Sequence, residues 1–444
     1  MLSRIFSRKF ATAVSVRELI QKNEVVSSVA INGWVRKTQK MGKVLFLHVS
    51  DGCSTDQIQV VVPRQICRSA PVGSAVSIQG VWHPSIGSQQ AMEFQATKCE
   101  VVGKNDKNFI PKTDADQLRG IPHLRPKAET FAALLKLRSQ INSCSHEFFG
   151  NSGCVHVDTP MISVNDCEGA GEAFVVKAQK DDDFFGYTDV FLPVSGQLHL
   201  ESIVGSIPRV YTMGTAFRAE KSLSRQHMAE FRMLEAEFGF VNTVDELCDV
   251  VEDYLRFVAK RLSSESLRNE IEKAAEGYTS KDSKSLVEMC ANVSRFPRLT
   301  YDEAIQVLAE KDVKVPRDGF KKAHELKLVE ILDSPVFVTH FPADQKPFYM
   351  KREGDKAACF DLLAPFVGEL AGGSLRENDA NLLEERLPSE ATANLDWYLE
   401  LKRCGQPPSG GFGIGVERLI QACLRVVNIK DTVAFPRWFK HCKC

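Results

Sequence analysis

No run of about 18 apolar residues occurs along this 444-residue chain, so a membrane-spanning helix of ordinary length is not expected and neither is a membrane partner. Paired CxxC units are also missing. Thirteen cysteines are scattered singly, and Cys442 with Cys444 has no second pair to complete a zinc site, so the cysteines read as reduced thiols. The glycines of the C-terminal region do not follow the GxGxxG spacing and sit in no βαβ pattern, which argues against a dinucleotide site. No Ser/His/Asp constellation for covalent catalysis stands out. Charge of one sign is not in excess either, the formal net charge being -1; a polyanion partner would have to meet a local patch. Finally, no acid occurs before Glu18.

That acid-free leader is basic and amphipathic. Arg4, Arg8, Lys9 and Arg17 alternate with Leu2, Ile5, Phe6 and Phe10 among serines and threonines, the composition that organelle import reads. Residues 1–15 are therefore expected to be a transit segment to the mitochondrial matrix. The remainder, with 43% hydrophobic and 25% charged residues over the whole chain, can bury a core in two or three domains.

Residues 16–105 carry short strand signals, among them Val29 to Val35, Val44 to Val49 and Gln57 to Val62, punctuated by Gly, Ser and Asp. Strands at such spacing predict a small barrel, an architecture that often presents one face to single-stranded nucleic acid. Nine basic residues stand against six acidic ones between positions 18 and 105, with Arg36, Lys37, Lys40 and Lys43 close together. Such a cluster reads equally as a solvated hairpin tip. Pro111, Pro122 and Pro126 mark residues 106–127 as a linker, and residues 128–444 as one large domain. Within it, Leu247, Val251, Tyr254, Leu255, Val258 and Leu262 recur at helical steps and predict a core-facing helix.

Two segments carry the chemistry. From Arg209 to Phe240, a strand ending in Phe217-Arg218-Ala219-Glu220 is followed by a polar loop and by His227 to Glu235. A hairpin of this kind can hold an arginine against a phosphate with an aromatic ring ready to stack on a base; alone it could equally be a salt-bridged surface hairpin. From Pro407 to Ile420, a glycine-rich stretch turns into an apolar helix that begins near Arg418. Glycines there suggest close backbone approach to a ligand, and Arg418 a phosphate partner.

Together these segments resemble motifs 2 and 3 of the class II aminoacyl-tRNA synthetases, and Val155-His156-Val157-Asp158-Thr159-Pro160 resembles motif 1. The resemblance covers nearly the whole chain. It implies an α+β fold, an N-terminal OB-fold barrel that binds the anticodon followed by an antiparallel sheet flanked by helices, in a homodimer joined through motif 1 at Pro160. Within the class the chain is similar to the aspartate and asparagine branch. His123-Leu124-Arg125-Pro126, Asp166 to Glu172, Ser195 to Glu201 and Gly372 to Glu377 resemble its asparagine members. Aspartate members usually carry a lysine where Leu200 stands here.

The roles implied by the resemblance are as follows. Arg218 would hold the ATP α-phosphate, Glu220 and His227 the nucleotide, Phe231 the adenine and Arg418 the γ-phosphate side, while Asp361 and Glu369 would hold Mg2+ against the phosphates. Glu168 and Gln197 would receive the amino-acid ammonium, and Arg376 the side-chain carbonyl. Lys346 to Met350 resembles a family loop near the site. Arg36, Phe46 and Gln59 would meet the anticodon by phosphate contact, stacking and base-edge hydrogen bond. Asparagine and aspartate differ little in shape, so Glu201 is expected to accept a hydrogen bond from the amide of L-asparagine and to repel aspartate by roughly 4 kcal/mol at about 4 Å and an effective dielectric near 20. The implied reaction is ATP-dependent charging of tRNA(Asn). The alternatives are an aspartate-charging enzyme and a synthetase-like binding protein without catalysis.

The leader generates its own test. A chain lacking residues 1–14 is expected to stay outside mitochondria in a fractionated cell that imports the full chain; accumulation of the shortened chain in the matrix contradicts the import role.

Overall fold

The computed structural model describes residues 14–87, 90–106, 109, 114–164, 173–178, 184–187, 190–317, 319–387 and 392–444. Residues 1–13 of the leader lie outside these, as do Glu168 and its neighbours 165–172. The chain divides into two units, one made of residues 1–136 with 269–277 and the other of residues 137–268 with 278–444.

The first unit is built on a closed barrel of order β1-β2-β3-β5-β4, with β1 Val26–Met41, β2 Val44–Ser50, β3 Ile58–Pro63, β4 Ala75–Pro84 and β5 Met92–Gly103. Alternation does the sorting: Leu45, Leu47 and Val49 on β2 and Ile58, Val60 and Val62 on β3 point into the core, all at most 2% exposed. Their neighbours Phe46, His48, Gln59 and Val61 therefore face outward. A short helix, Val16–Ile20, capped by Ser15, adds Val16 and Leu19 to the same core. The stretch read as a linker holds the short helix Ala115–Arg119, started by the Asp114 carboxylate accepting from Asp116 N–H.

The second unit is built on an eight-stranded sheet of order β6-β7-β8-β15-β14-β13-β10-β9. Its strands are β6 Val155–His156, β7 Arg209–Phe217, β8 Glu230–Gly239, β9 Arg298–Thr300, β10 Val336–Thr339, β13 Cys359–Ala364, β14 Gly368–Leu375 and β15 Ser409–Gly415; a separate hairpin pairs β11 Arg352–Glu353 with β12 Lys356–Ala357. The sheet is antiparallel across its centre, as expected, and mixed only at its two edges. From β7 across to β10 every ladder is antiparallel, and only the two edges, β6 on β7 and β9 on β10, pair in parallel. The physical reason lies in the connections: long crossovers, here containing helices, lead from each edge strand to its partner and so allow parallel pairing. Helix Val244–Leu262 begins at a capping box, Thr243 with Glu246, and buries its apolar stripe from Leu247 to Leu262. Phe149 of helix Glu129–Asn151 stacks on Tyr211 of β7 at 4.9 Å between ring centroids, and Ser145 shares a 2.7 Å hydrogen bond with the Tyr254 hydroxyl. This helix is thereby joined to the sheet through stacked rings and to helix Val244–Leu262 through one buried polar contact.

Candidate active site

The face of the sheet over β8 and β15 is prepared by sequence. Met233, Glu235 and Glu237 alternate on β8, and the residues opposite them on β15 are Gly415, Gly413 and Gly411. A strand of glycines leaves the sheet bare, so long side chains from the next strand, and a ligand, can lie across it. Gly411 is the clearest case. A Cβ there would collide with the Glu237 carboxylate, so the motif's glycine makes room for a protein side chain as well as for a ligand. On the far side of β15, Gly372 of β14 faces Gly413, and Asp361 of β13 faces Gly372. A bulge between Leu362 and Leu363 breaks the alternation and brings Glu369 to the same cavity.

Two adjoining cavities result. Arg218, Glu220, His227, Phe231, Glu369 and Arg418 all line the first. Arg218, at the end of β7, lies 5.6 Å from the Phe231 ring centroid. Glu220 stands 3.5 Å from His227, whose Nδ1 shares a hydrogen bond with Ser224 Oγ. Lys430 donates to the carbonyls of Leu223 and Ser224 and so pins the loop of the hairpin. Arg418, in the first turn of helix Val416–Leu424, donates to the Glu369 carbonyl at 3.0 Å. Its neighbour Glu417 also borders this cavity but is buried, accepting from Arg232 N–H at 3.0 Å and pairing with Arg138 at 2.7 Å.

Gln197, Leu200, Glu235, Glu237, Lys346 and Arg376 line the second cavity, together with Arg218, Asp361 and Glu369. Arg218 and Glu369 are therefore common to both. An arginine at that junction is placed to neutralise negative charge arriving from either side. Arg376 donates Nε and Nη2 to Glu237 at 3.0 and 2.8 Å and Nη1 to Ser374 Oγ at 2.8 Å, with both charged side chains at most 4% exposed. Burial raises Glu237 to about 7 in spite of Arg376. Glu235 accepts from Ser195 Oγ and from Gly196 N–H, and so fixes the start of helix Gln197–Val204.

Glu201 requires a correction. It sits four residues after Gln197 on that helix as expected, but it is 0% exposed and does not line the cavity. Its carboxylate is occupied by protein, accepting from Tyr398 at 2.7 Å, Lys402 at 2.9 Å and Gln197 at 3.0 Å. Burial alone would raise its pKa; Lys402 and Arg376 outweigh burial and hold it below the usual carboxylate range. A carboxylate so buried and so partnered is not presented to the cavity. Glu237, the carboxylate paired with Arg376, lines the cavity where Glu201 does not. Asp361 also differs from expectation, because both its oxygens accept from Lys346, at 2.7 and 2.9 Å. Burial raises its pKa; Lys346 opposes that and Glu369 adds to it.

The family model for tRNA synthetases class II (D, K and N) matches residues 118–439, and that for the OB-fold nucleic acid binding domain matches residues 29–102. The chain belongs to the class II tRNA synthetases. It is 38% identical to the asparaginyl-tRNA synthetase of Mus musculus, with 93% of this chain and 91% of that one covered. It is 34% identical to an asparagine--tRNA ligase of Borreliella burgdorferi, with 95% and 98% covered. Among solved structures, asparaginyl-tRNA synthetase from Pyrococcus horikoshii complexed with asparaginyl-adenylate superposes with a TM-score of 0.84 at 28% identity, covering 97% of this chain and 99% of that chain.

For a class II synthetase with an OB-fold barrel, the outward strand face is the place to look for a nucleic-acid surface. Phe46 and Gln59 are both on it, half-buried and neighbours through the pairs Phe46 with Val61 and His48 with Gln59. Arg36 is not. A bulge between Val35 and Lys37 takes it out of the ladder, and its guanidinium is tied to Glu129 at 3.0 Å and to the Lys127 carbonyl. Lys37 instead takes the place opposite His48. The bulge, which no residue pattern announced, moved the cation by one position. Lys37→Ala and Phe46→Ala should each weaken tRNA binding, by roughly 1–3 kcal/mol for the lost stack at Phe46, while Arg36→Ala should leave it nearly unchanged in a filter-binding assay. Equal loss from Arg36→Ala and Lys37→Ala would sink this assignment.

Proposed function

We propose that this class II synthetase activates L-asparagine with ATP and transfers it to tRNA(Asn), an asparagine-tRNA ligase. The observation that carries the reading is the pair of cavities joined at Arg218: one offers a ring and two arginines to a nucleotide triphosphate, the other a buried Arg376 and Glu237 to a short polar side chain. The curated relatives named above carry the same activity in their names.

In the first step a carboxylate oxygen of asparagine attacks the α-phosphorus, the bond to the bridging oxygen breaks, and pyrophosphate leaves with that electron pair. Arg218 binds the phosphoryl oxygens on which charge builds, and Arg418 holds the departing end. Phe231 stacks on the adenine, with Glu220 and His227 beside it. Gln197 faces the amino-acid main chain, and Glu168 is proposed to share that task. In the second step the terminal ribose hydroxyl of the tRNA attacks the activated carbonyl, loses its proton, and displaces AMP. No protein nucleophile is required. Among the described residues no group of three or more side chains could hold a metal ion, but Mg2+ takes one or two carboxylates with the rest of its ligands from phosphates and water. Glu369 and Asp361, both beside Gly372, fit that need, Asp361 once Lys346 releases it. Mg2+ bound there would neutralise phosphate charge.

Side-chain selection falls to Arg376 and Glu237. Arg376 donates to the asparagine carbonyl, and ionised Glu237 accepts from its amide NH2. An aspartate carboxylate would meet ionised Glu237 as a like charge. Glu237 is ionised above about pH 7 and protonated below it, and once protonated it can donate to a carboxylate. ATP-pyrophosphate exchange tests the whole reading. The enzyme should exchange with asparagine and far less with aspartate at pH 8, and its preference should fall by roughly tenfold at pH 6, following the ionised fraction of Glu237. Arg218→Ala and Arg418→Ala should each lose exchange by roughly a hundredfold or more. Exchange with aspartate alone would overturn the asparagine assignment, and a preference that does not change between pH 6 and pH 8 would remove Glu237 from it.

A homodimer in the mitochondrial matrix completes the proposal. The composition of the leader supports the location. Val155, Met161 and Ile162, 45%, 44% and 40% exposed, with exposed Pro160 between them, supply an apolar surface beside the short edge strand β6 of the kind that a second copy covers. Sedimentation at micromolar concentration should give twice the chain mass, and Pro160→Glu with Ile162→Glu should shift it toward the single chain; a monomeric parent contradicts the dimer.

A further inference from the structure

The residues assigned to read the side chain are backed by a second ion pair that lies outside the cavity. Lys402, near the end of helix Thr392–Arg403, donates to Glu201 at 2.9 Å, with both side chains 0% exposed. Tyr398, one turn earlier, donates to the same oxygen at 2.7 Å. The other oxygen takes the Gln197 amide at 3.0 Å and stands 3.7 Å from Arg376 Nε. Glu237, Arg376, Glu201 and Lys402 thus form a buried row of alternating charge that is formally neutral when all four are ionised. A buried ion pair is seldom a source of stability, since apolar groups of similar volume often serve as well or better. Its place in this row points to a different use: an ionised Glu201, 3.7 Å from the same Nε that donates to Glu237, adds a second attraction on Arg376 and fixes the Gln197 amide, so both residues are held where the ligand meets them.

We propose that Lys402 is a positioning residue for side-chain recognition, holding Glu201 ionised so that Arg376 and Gln197 stay aimed at the amino acid. The proposal rests on the asparagine reading above. Without the ammonium, two buried carboxylates share one guanidinium, and one of them must take up a proton. Whichever does so, the site loses either the anchor of Arg376 or the acceptor for the amide.

In the full-length enzyme, Lys402→Met keeps the side-chain length and removes the charge. KM for asparagine in pyrophosphate exchange should rise roughly tenfold or more while KM for ATP stays within about twofold, a split that general loosening of the fold would not produce. Preference for asparagine over aspartate should fall. The pH below which asparagine activation declines should move up, because the groups facing the two carboxylates would then be Arg376, itself against the Tyr349 ring, with Tyr398 and Gln197, one cation fewer, and the pair would hold its proton to higher pH. Lys402→Arg should restore all three. Tyr398→Phe, which removes one hydrogen bond to Glu201 and no charge, should move them in the same direction by a smaller factor, and it decides the matter if Lys402→Met does not fold. Parental asparagine KM, preference and pH profile in the folded variant would overturn the proposal alone; a parent enzyme without asparagine-dependent exchange would overturn the activity reading and this proposal together.

Discussion

A guanidinium and a carboxylate that meet at 2.8 Å with almost no exposure, as Arg376 and Glu237 do, constrain everything packed around them. Removing one ion from water costs several kcal/mol even after relaxation, roughly, and removing one partner of such a pair leaves the other stranded. The neighbours therefore have to satisfy the remaining donors and leave the pair space. Ser374 takes the third donor of Arg376, Gly411 gives up its side chain so that Glu237 can lie over β15, and Glu201 adds a second carboxylate 3.7 Å from the Arg376 Nε. Each of these residues comes from a different element. The pair thus fixes the register of β8 against β15 and the approach of helix Gln197–Val204 to the sheet.

The division of labour between the cavities follows from the same electrostatics. A triphosphate carries its charge on many oxygens and needs cations that can reach from the rim, so Arg418 is a third exposed and begins a helix. The side chain of asparagine carries none and needs donors and acceptors in a fixed geometry, so its proposed partners are buried. Arg218 and Glu369 belong to both cavities because the attacking carboxylate and the α-phosphate must come together at one point.

Much of this was legible in the chain. Arg218, Glu220, His227 and Phe231 fall within 14 consecutive residues, and a hairpin that begins at a strand end leaves them few places to go, so a linear reading brings them together. The barrel was legible for a similar reason: β2 and β3 alternate so strictly that the outward set, Phe46 and Gln59 among it, follows from the inward one. What escaped depends on three dimensions. Glu235 and Glu237 sit two apart in an acidic strand, and only the glycines paired opposite them from 178 and 174 residues later show that both acids lie over the cavity floor. Glu201 looked available because its partners Tyr398 and Lys402 are 197 and 201 residues away. Arg36 and Lys37 are equivalent cations in sequence, and a single bulge decides between them.

These misses share a cause that bears on selectivity. A linear reading assigns charge to single residues, so it placed the rejection of aspartate in one carboxylate, Glu201, expected to face the ligand. In the proposal above, four residues share that task. With Glu237, Arg376, Glu201 and Lys402 all ionised, the row carries no net charge, and a neutral amide can join it by exchanging hydrogen bonds alone. An aspartate brings one negative charge more than the row can balance, and buried surroundings screen that excess poorly. Discrimination then belongs to the balance of the whole row, and a charge set at Lys402, on the far side of Glu201 from the ligand, counts in it as directly as one on the cavity wall.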